Sequence, residues 1–159
     1  MNAFKGIGVA LATPFLDDQS IDFESLKRLI DHVIVGGVDY LVVLGTTGES
    51  ATLTASEKAQ VLKAAVEYNK GRVPLILGLG GNATQKLLDE IEATEFYGVA
   101  GILSVSPYYN KPTQEGIIAH YRALADASPA PLVLYNIPGR TMSNLTASTT
   151  LTLSHHPNI

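Results

Sequence analysis

A chain of 159 residues with 46% hydrophobic content can bury one sizeable core. Its formal net charge of −4 argues against a nucleic-acid surface, and the absence of cysteine excludes disulfides and thiolate metal sites. The opening Met1-Asn2-Ala3-Phe4-Lys5-Gly6 carries no signal-peptide pattern and no apolar run reaches membrane-spanning length, so the expectation is a soluble cytoplasmic protein without a membrane partner.

Five apolar runs suit strands: Ile7–Ala12, Tyr40–Leu44, Val73–Leu79, Val99–Val105 and Leu132–Tyr135. Their starts fall 33, 33, 26 and 33 residues apart, and each gap holds one helix. Asp22 caps the first, whose inner face is Leu26, Leu29, Ile30, Val33 and Ile34 and whose stop is Gly36-Gly37. Thr54-x-x-Glu57 is a capping box for the second, which buries Val61, Leu62, Ala65 and Val66. Asn82-x-x-Gln85 opens the third, with Leu87, Leu88 and Ile91 inward. Thr113 caps the fourth, with Ile117, Ile118, Tyr121, Leu124 and Ala125 inward. The fifth falls within Leu145–Ser154, where threonine and serine weaken the helical signal.

Strict alternation of strands buried on both faces with helices predicts a parallel α/β sheet. The even spacing, and polar residues at the carboxyl ends of several strands, favour a (β/α)8 barrel over a doubly wound sheet. A barrel needs eight strands and roughly 250 residues. About the first five β/α units are present, so residues 1–159 read as the amino-terminal portion of a single barrel domain, with strands six to eight absent.

Three strand ends carry chemistry. Tyr40–Leu44 runs without a spacer into Gly45-Thr46-Thr47-Gly48-Glu49-Ser50. The glycines permit a tight turn and close ligand approach, while the threonine hydroxyls and free N–H groups suit a small anion. The fourth strand ends in Ser106-Pro107-Tyr108-Tyr109-Asn110-Lys111-Pro112-Thr113. Tyr108 suits interface packing as readily as a role in a site; Tyr109, a phenol that both donates and accepts, is the better functional candidate. The fifth ends in Tyr135-Asn136-Ile137-Pro138-Gly139-Arg140. Arg140 fits a bidentate carboxylate or, alternatively, a surface ion pair.

Together these three segments resemble the dihydrodipicolinate synthase family. The first motif is shared with the wider pyruvate-dependent class-I aldolases, including N-acetylneuraminate lyase; the second and third are more selective. The resemblance runs from Gly6 to Ile159 and implies a lyase of the diaminopimelate and lysine pathway, using no cofactor. Pyruvate would condense with a lysine amine, and the enamine would attack L-aspartate-4-semialdehyde. It also implies roles: Tyr135 as proton donor and acceptor, Thr46 linking it to Tyr109 from a neighbouring subunit, Thr47 on the pyruvate carboxylate, and Arg140 on the carboxylate of the second substrate. A homotetramer built from tight dimers is implied too. The family's Schiff-base lysine lies on strand six, just past Ile159, so the 159-residue chain is expected to be inactive alone. In feedback-inhibited relatives an effector pocket binds lysine; its positions here are Ala55, Lys58, Asn82, Lys86 and Tyr108. Two cations there would repel an ammonium, so weak inhibition by L-lysine is expected. A sibling aldolase acting on a sugar acid and a non-catalytic half-barrel are the alternatives.

Other signals carry less. Gly78-x-Gly80-x-x-Ala83 has the spacing of a dinucleotide loop, but the next strand ends in serines rather than in an acid for a ribose. His155-His156 suggests no metal and reads as solvated helix-end residues. Glu49 is expected to orient its loop by accepting backbone N–H bonds, and Asp17-Asp18 to form a turn.

Overall fold

The computed structural model describes residues 4–159. These form two compact units, one running to Gly78 and including Tyr97–Ala100, the other comprising Leu79–Phe96 and Gly101–Ile159.

In the first unit, β1 (Gly8–Ala10), β2 (Tyr40–Val43) and β3 (Leu75–Gly78) run parallel. Leu41 lies opposite Val9 on one side and Leu75 on the other, so β2 is central and its Leu41, Val42 and Val43 are buried. Parallel strands need crossovers, supplied by α1 (Phe23–Val35) and α2 (Ala55–Asn69). Asp22 caps α1 by accepting from Ser25 N at 2.9 Å. The capping box of α2 is complete: Thr54 Oγ1 accepts from Glu57 N, and the Glu57 carboxylate accepts from Thr54 N at 2.7 Å. Leu26 and Ile30, four apart on α1, are fully buried, as are Val61 and Ala65 on α2. Each fully buried leucine or isoleucine contributes roughly 1.5–3 kcal/mol.

In the second unit, β4 (Gly101–Val105) and β5 (Leu132–Tyr135) run parallel, with α3 (Thr84–Ala93), α4 (Gln114–Ala127), the short α5 (Pro138–Thr141) and α6 (Ala147–Ser154). Thr113 caps α4 and Thr146 caps α6. Tyr121, Ile117 and Leu124 of α4 are the centre of its core, joined by Ile102, Leu132 and Leu153. The Tyr121 hydroxyl donates to Ser104 O at 3.0 Å, and burial pushes its pKa above the ordinary phenol range.

Several expectations shift in detail. Four strands are shorter than their apolar runs; Pro74, with no N–H, marks the point where the third run is not yet ladder. Asn82 does not cap α3: Ala83 takes that place, and the Asn82 amide donates instead to Tyr108 O at 3.1 Å. His155-His156 is not simply solvated. His156 is half-buried; its Nδ1 accepts from Asn158 N at 3.2 Å, and its Nε2–H faces Asp126 Oδ1 at 3.0 Å. Asp17-Asp18 does form a turn, fixed by Asp18 Oδ1 accepting from Ser20 N at 3.0 Å.

Candidate active site

Leu44, the residue after β2, is buried with φ of 58°. A leucine in the left-handed region costs on the order of 1–3 kcal/mol, a cost that persists only where the surroundings over-determine it. Here the bend throws the chain from the strand into Gly45 and a 3-10 turn, Thr46–Gly48. Gly78 makes the bend possible. A Cβ on Gly78 would sit 2.3 Å from Leu44 O and 2.6 Å from Gly45 N, so only glycine lets the two backbones pass. Below the turn, the buried Thr13 hydroxyl donates to Gly48 O at 2.7 Å. Thr46 and Thr47 are exposed on a loop held from beneath. The Glu49 side chain accepts no hydrogen bond from the loop backbone among the described residues, which corrects its expected role. Its contribution is through the main chain: Glu49 is left-handed, and its carbonyl accepts from Thr52 N and Thr52 Oγ1, both at 2.9 Å.

The second unit holds the other candidates. Tyr135 is the last residue of β5 and half-buried; its carbonyl accepts from Ser106 N at 3.0 Å, fixing the strand end. Tyr109 has φ of 73° and is 87% exposed, while its N–H donates to Thr141 O at 3.3 Å. Arg140 lies in α5, exposed, with no ion-pair partner among the described residues, so the surface-pair alternative is not realised within the described chain. Met142, just past α5, is also left-handed at φ of 56°. Buried hydroxyls support this rim. Ser106 Oγ and Ser143 Oγ are 3.2 Å apart, and Thr141 Oγ1 donates to Ser143 O at 2.8 Å. Gly80 admits a close approach as well, since a Cβ there would lie 2.7 Å from Val105 N. Close backbone packing at Gly78 and at Gly80 accounts for this glycine spacing.

Of the positions that the resemblance assigns to an effector pocket, Asn82 and Tyr108 are brought together by the hydrogen bond above, and Asn110 Nδ2 returns to Asn82 O at 3.2 Å. Lys86 is exposed in the first turn of α3, which has no acidic residue there. Ala55 begins α2, and Lys58 is half-buried one turn on.

Sequence reasoning missed Thr13, Leu44 and Gly78 as supports of the threonine loop. It also missed His120. That side chain is 5% exposed; its Nδ1 meets Thr84 Oγ1 at 2.8 Å and its Nε2 has no partner. Burial lowers its pKa to about 4. No cluster of three or more His, Asp or Glu suited to a metal occurs among the described residues. No described helix is long and apolar enough to cross a membrane. A cavity of about 740 Å³ in the first unit lies at the amino end of β3, lined by Arg72, Pro74, Leu75 and Tyr97 among others, and does not include Thr46 or Thr47.

Comparison with known proteins bears on these motifs. Residues 3–159 match the Dihydrodipicolinate synthetase family. A 4-hydroxy-tetrahydrodipicolinate synthase from Flavobacterium psychrophilum is 56% identical over 154 residues, 97% of this chain and 53% of that protein. The chain spans about half the length of the curated relatives it matches. A dihydrodipicolinate synthase structure from Bacillus anthracis superimposes with a TM-score of 0.96 at 40% identity, over 100% of this chain and 55% of that one. The Acinetobacter baumannii dihydrodipicolinate synthase, solved complexed with pyruvate, gives 0.93 at 43% identity over 97% and 53%. The α/β units described here are thus about the first five of a (β/α)8 barrel. The chain belongs to the dihydrodipicolinate synthetase family.

Proposed function

We propose that this chain is the amino-terminal portion of a single barrel domain of a 4-hydroxy-tetrahydrodipicolinate synthase. The complete enzyme is a cytoplasmic homotetramer that condenses pyruvate with L-aspartate-4-semialdehyde through a lysine Schiff base. The observation that carries the reading is the placement of hydroxyls at strand ends. Thr46 and Thr47 follow β2 on a loop pinned by Thr13 and Gly78, and Tyr135 closes β5.

The chemistry asks for such groups. Amine attack on the keto carbon forms a carbinolamine, which must gain a proton on oxygen to lose water; the enamine then attacks the aldehyde and its new alkoxide needs a proton. Tyr135 supplies and recovers these protons. An unperturbed phenol titrates near ~10, so it works as a relay, passing the proton through Thr46 to Tyr109 of the neighbouring subunit. The exposure of Tyr109 suits a residue that acts on a partner. Thr47 holds the pyruvate carboxylate. Arg140, exposed and without an ion-pair partner among the described residues, meets the carboxylate of the semialdehyde.

The amine does not come from these 159 residues. A nucleophilic lysine needs a desolvated or cationic setting, and none of the seven lysines is buried. Lys27, Lys58, Lys63 and Lys86 lie on helices, Lys70 caps one, Lys5 precedes β1, and Lys111 is exposed in the loop after β4. Lys86, exposed at the positive end of α3, disfavours an ammonium effector, so L-lysine inhibits weakly.

Borohydride reduction with pyruvate, followed by intact mass, tests the assignment. The chain alone should gain no adduct. A graft in which it replaces the corresponding residues of the F. psychrophilum relative should gain one, on a lysine outside the grafted segment. An adduct on any lysine of this chain, or none in the graft, would overturn it.

A further inference from the structure

We infer that Gln114 is a positioning residue for Arg140, acting through a clasp that fixes the loop from Asn136 to Thr146. The inference rests on the role proposed above for Arg140 and goes beyond it by naming what holds that side chain's loop in register.

Gln114 is the first residue of α4, directly after the cap Thr113 and the loop that carries Tyr109. Its Nε2 donates to Asn144 O at 2.8 Å. Its Oε1 accepts from Thr146 N at 3.2 Å, from Thr146 Oγ1 at 3.3 Å, and from Thr149 Oγ1. One amide thus holds the end of the β5 loop and the amino terminus of α6 together. From the strand side, Asn136 grips the same loop end. Its Nδ2 donates to Asn144 Oδ1 at 2.9 Å and to Leu145 O at 3.5 Å, and its Oδ1 accepts from Leu145 N at 3.1 Å. Thr141 and Ser143, both buried, pin the middle from below.

The consequence is geometric. With the far end and the buried middle of the loop fixed, Arg140 is the one charged side chain among its exposed residues. A four-residue helix such as α5 has too few internal hydrogen bonds to fix its own orientation. The orientation of the guanidinium, and so its two-pronged fit to a carboxylate, is set by the clasp. Gln114 also ties this loop to the stretch bearing Tyr109, whose N–H already reaches Thr141 O. Gln114 itself contacts no reacting group; its effect is on the substrate that Arg140 binds.

The test uses the graft and steady-state kinetics on both substrates. Gln114→Ala should raise the KM for L-aspartate-4-semialdehyde about tenfold while the pyruvate KM and kcat stay within about twofold, because misplacing a binding group by about 1 Å penalises only its own ligand. Gln114→Glu keeps the acceptor to Thr146 and Thr149 but loses the donor to Asn144 O, so it should rescue part of the loss, to about threefold. If the alanine variant does not fold, the glutamate variant alone decides by the same split. A rise shared equally by both substrates, a fall in kcat alone, or no change overturns the inference while leaving the functional reading intact. If the unsubstituted graft fails to turn over these two substrates, the functional reading falls, and this inference with it.

Discussion

Tyr135→Phe in the graft should lower kcat by about 10²–10⁴-fold, the range lost with a positioned proton-transfer group, without unfolding the protein. The substitution removes one oxygen. The ring, half-buried at the end of β5, stays, and so do the strand pairing of Val105 with Tyr135 and the Ser106 N–H bond to the Tyr135 carbonyl. Whatever is lost is therefore chemical. If the phenol relays protons through Thr46, then Thr46→Val should also lower kcat, since a valine keeps the shape of threonine and cannot carry a proton. Circular dichroism and thermal midpoints of both variants should match those of the parent. A Tyr135→Phe enzyme within threefold of the parent would remove this residue from the mechanism.

The second large effect is on stability in acid. His120 is buried with an unpaired Nε2, and desolvation lowers its folded pKa to about 4 from an ordinary 6.5. Between those values the unfolded chain binds a proton that the folded chain refuses. Stability therefore rises with pH across this window: it is fully present above about pH 6.5 and declines as pH falls towards 4. A depression of this size corresponds to about 3 kcal/mol, an order-of-magnitude figure at roughly 1.4 kcal/mol per pH unit. The carboxylates Asp18, Asp22 and Glu57, whose pKa values hydrogen bonds to Ser20, Ser25 and Thr54 lower, act in a different window. Their contribution is present above their ordinary values of 3.8 to 4.5 and is lost below them. Urea midpoints of the chain from pH 7.5 to 4 should fall steadily, and His120→Gln should flatten that limb, being less stable at pH 7.5 but closer to the parent at pH 4.5. Equal pH slopes in the two proteins would show that His120 takes up its proton as readily in the folded as in the unfolded chain, and would overturn this account.

The barrel units were legible because period and punctuation agree. Two turns of buried leucine and isoleucine behind Asp22, and a full Thr54–Glu57 box, are local chemistry, and local chemistry is written in neighbouring letters. Leu132–Tyr135 came through with its bounds unchanged because Pro131 before it and the Asn136-Ile137-Pro138-Gly139 turn after it bracket it. Strand ends were less legible. Ile7 is apolar yet 67% exposed, since membership of a parallel ladder depends on a partner's register and not on the residue itself. The start of α3 failed for a related reason: Asn82 is a good capping residue, but Tyr108 O, 26 positions away, takes its amide. The motif residues Thr46, Thr47, Tyr135 and Arg140 were visible as a family pattern. What supports them was not. Thr13 under Gly48, Gly78 against the bent Leu44 and Gln114 across to Asn144 are contacts between distant stretches, and nothing in a single sequence distinguishes such a glutamine from one that merely begins a helix.

The central claim is that hydroxyls from separate strand ends serve one keto acid. A crystal structure of the graft reduced onto pyruvate measures this directly. The account predicts the Thr46 and Tyr135 hydroxyl oxygens within hydrogen-bond distance of each other, about 2.5–3.0 Å, with the trapped carboxylate on Thr47. Thr46 and Tyr135 far apart, with the trapped pyruvate touching neither, would contradict it.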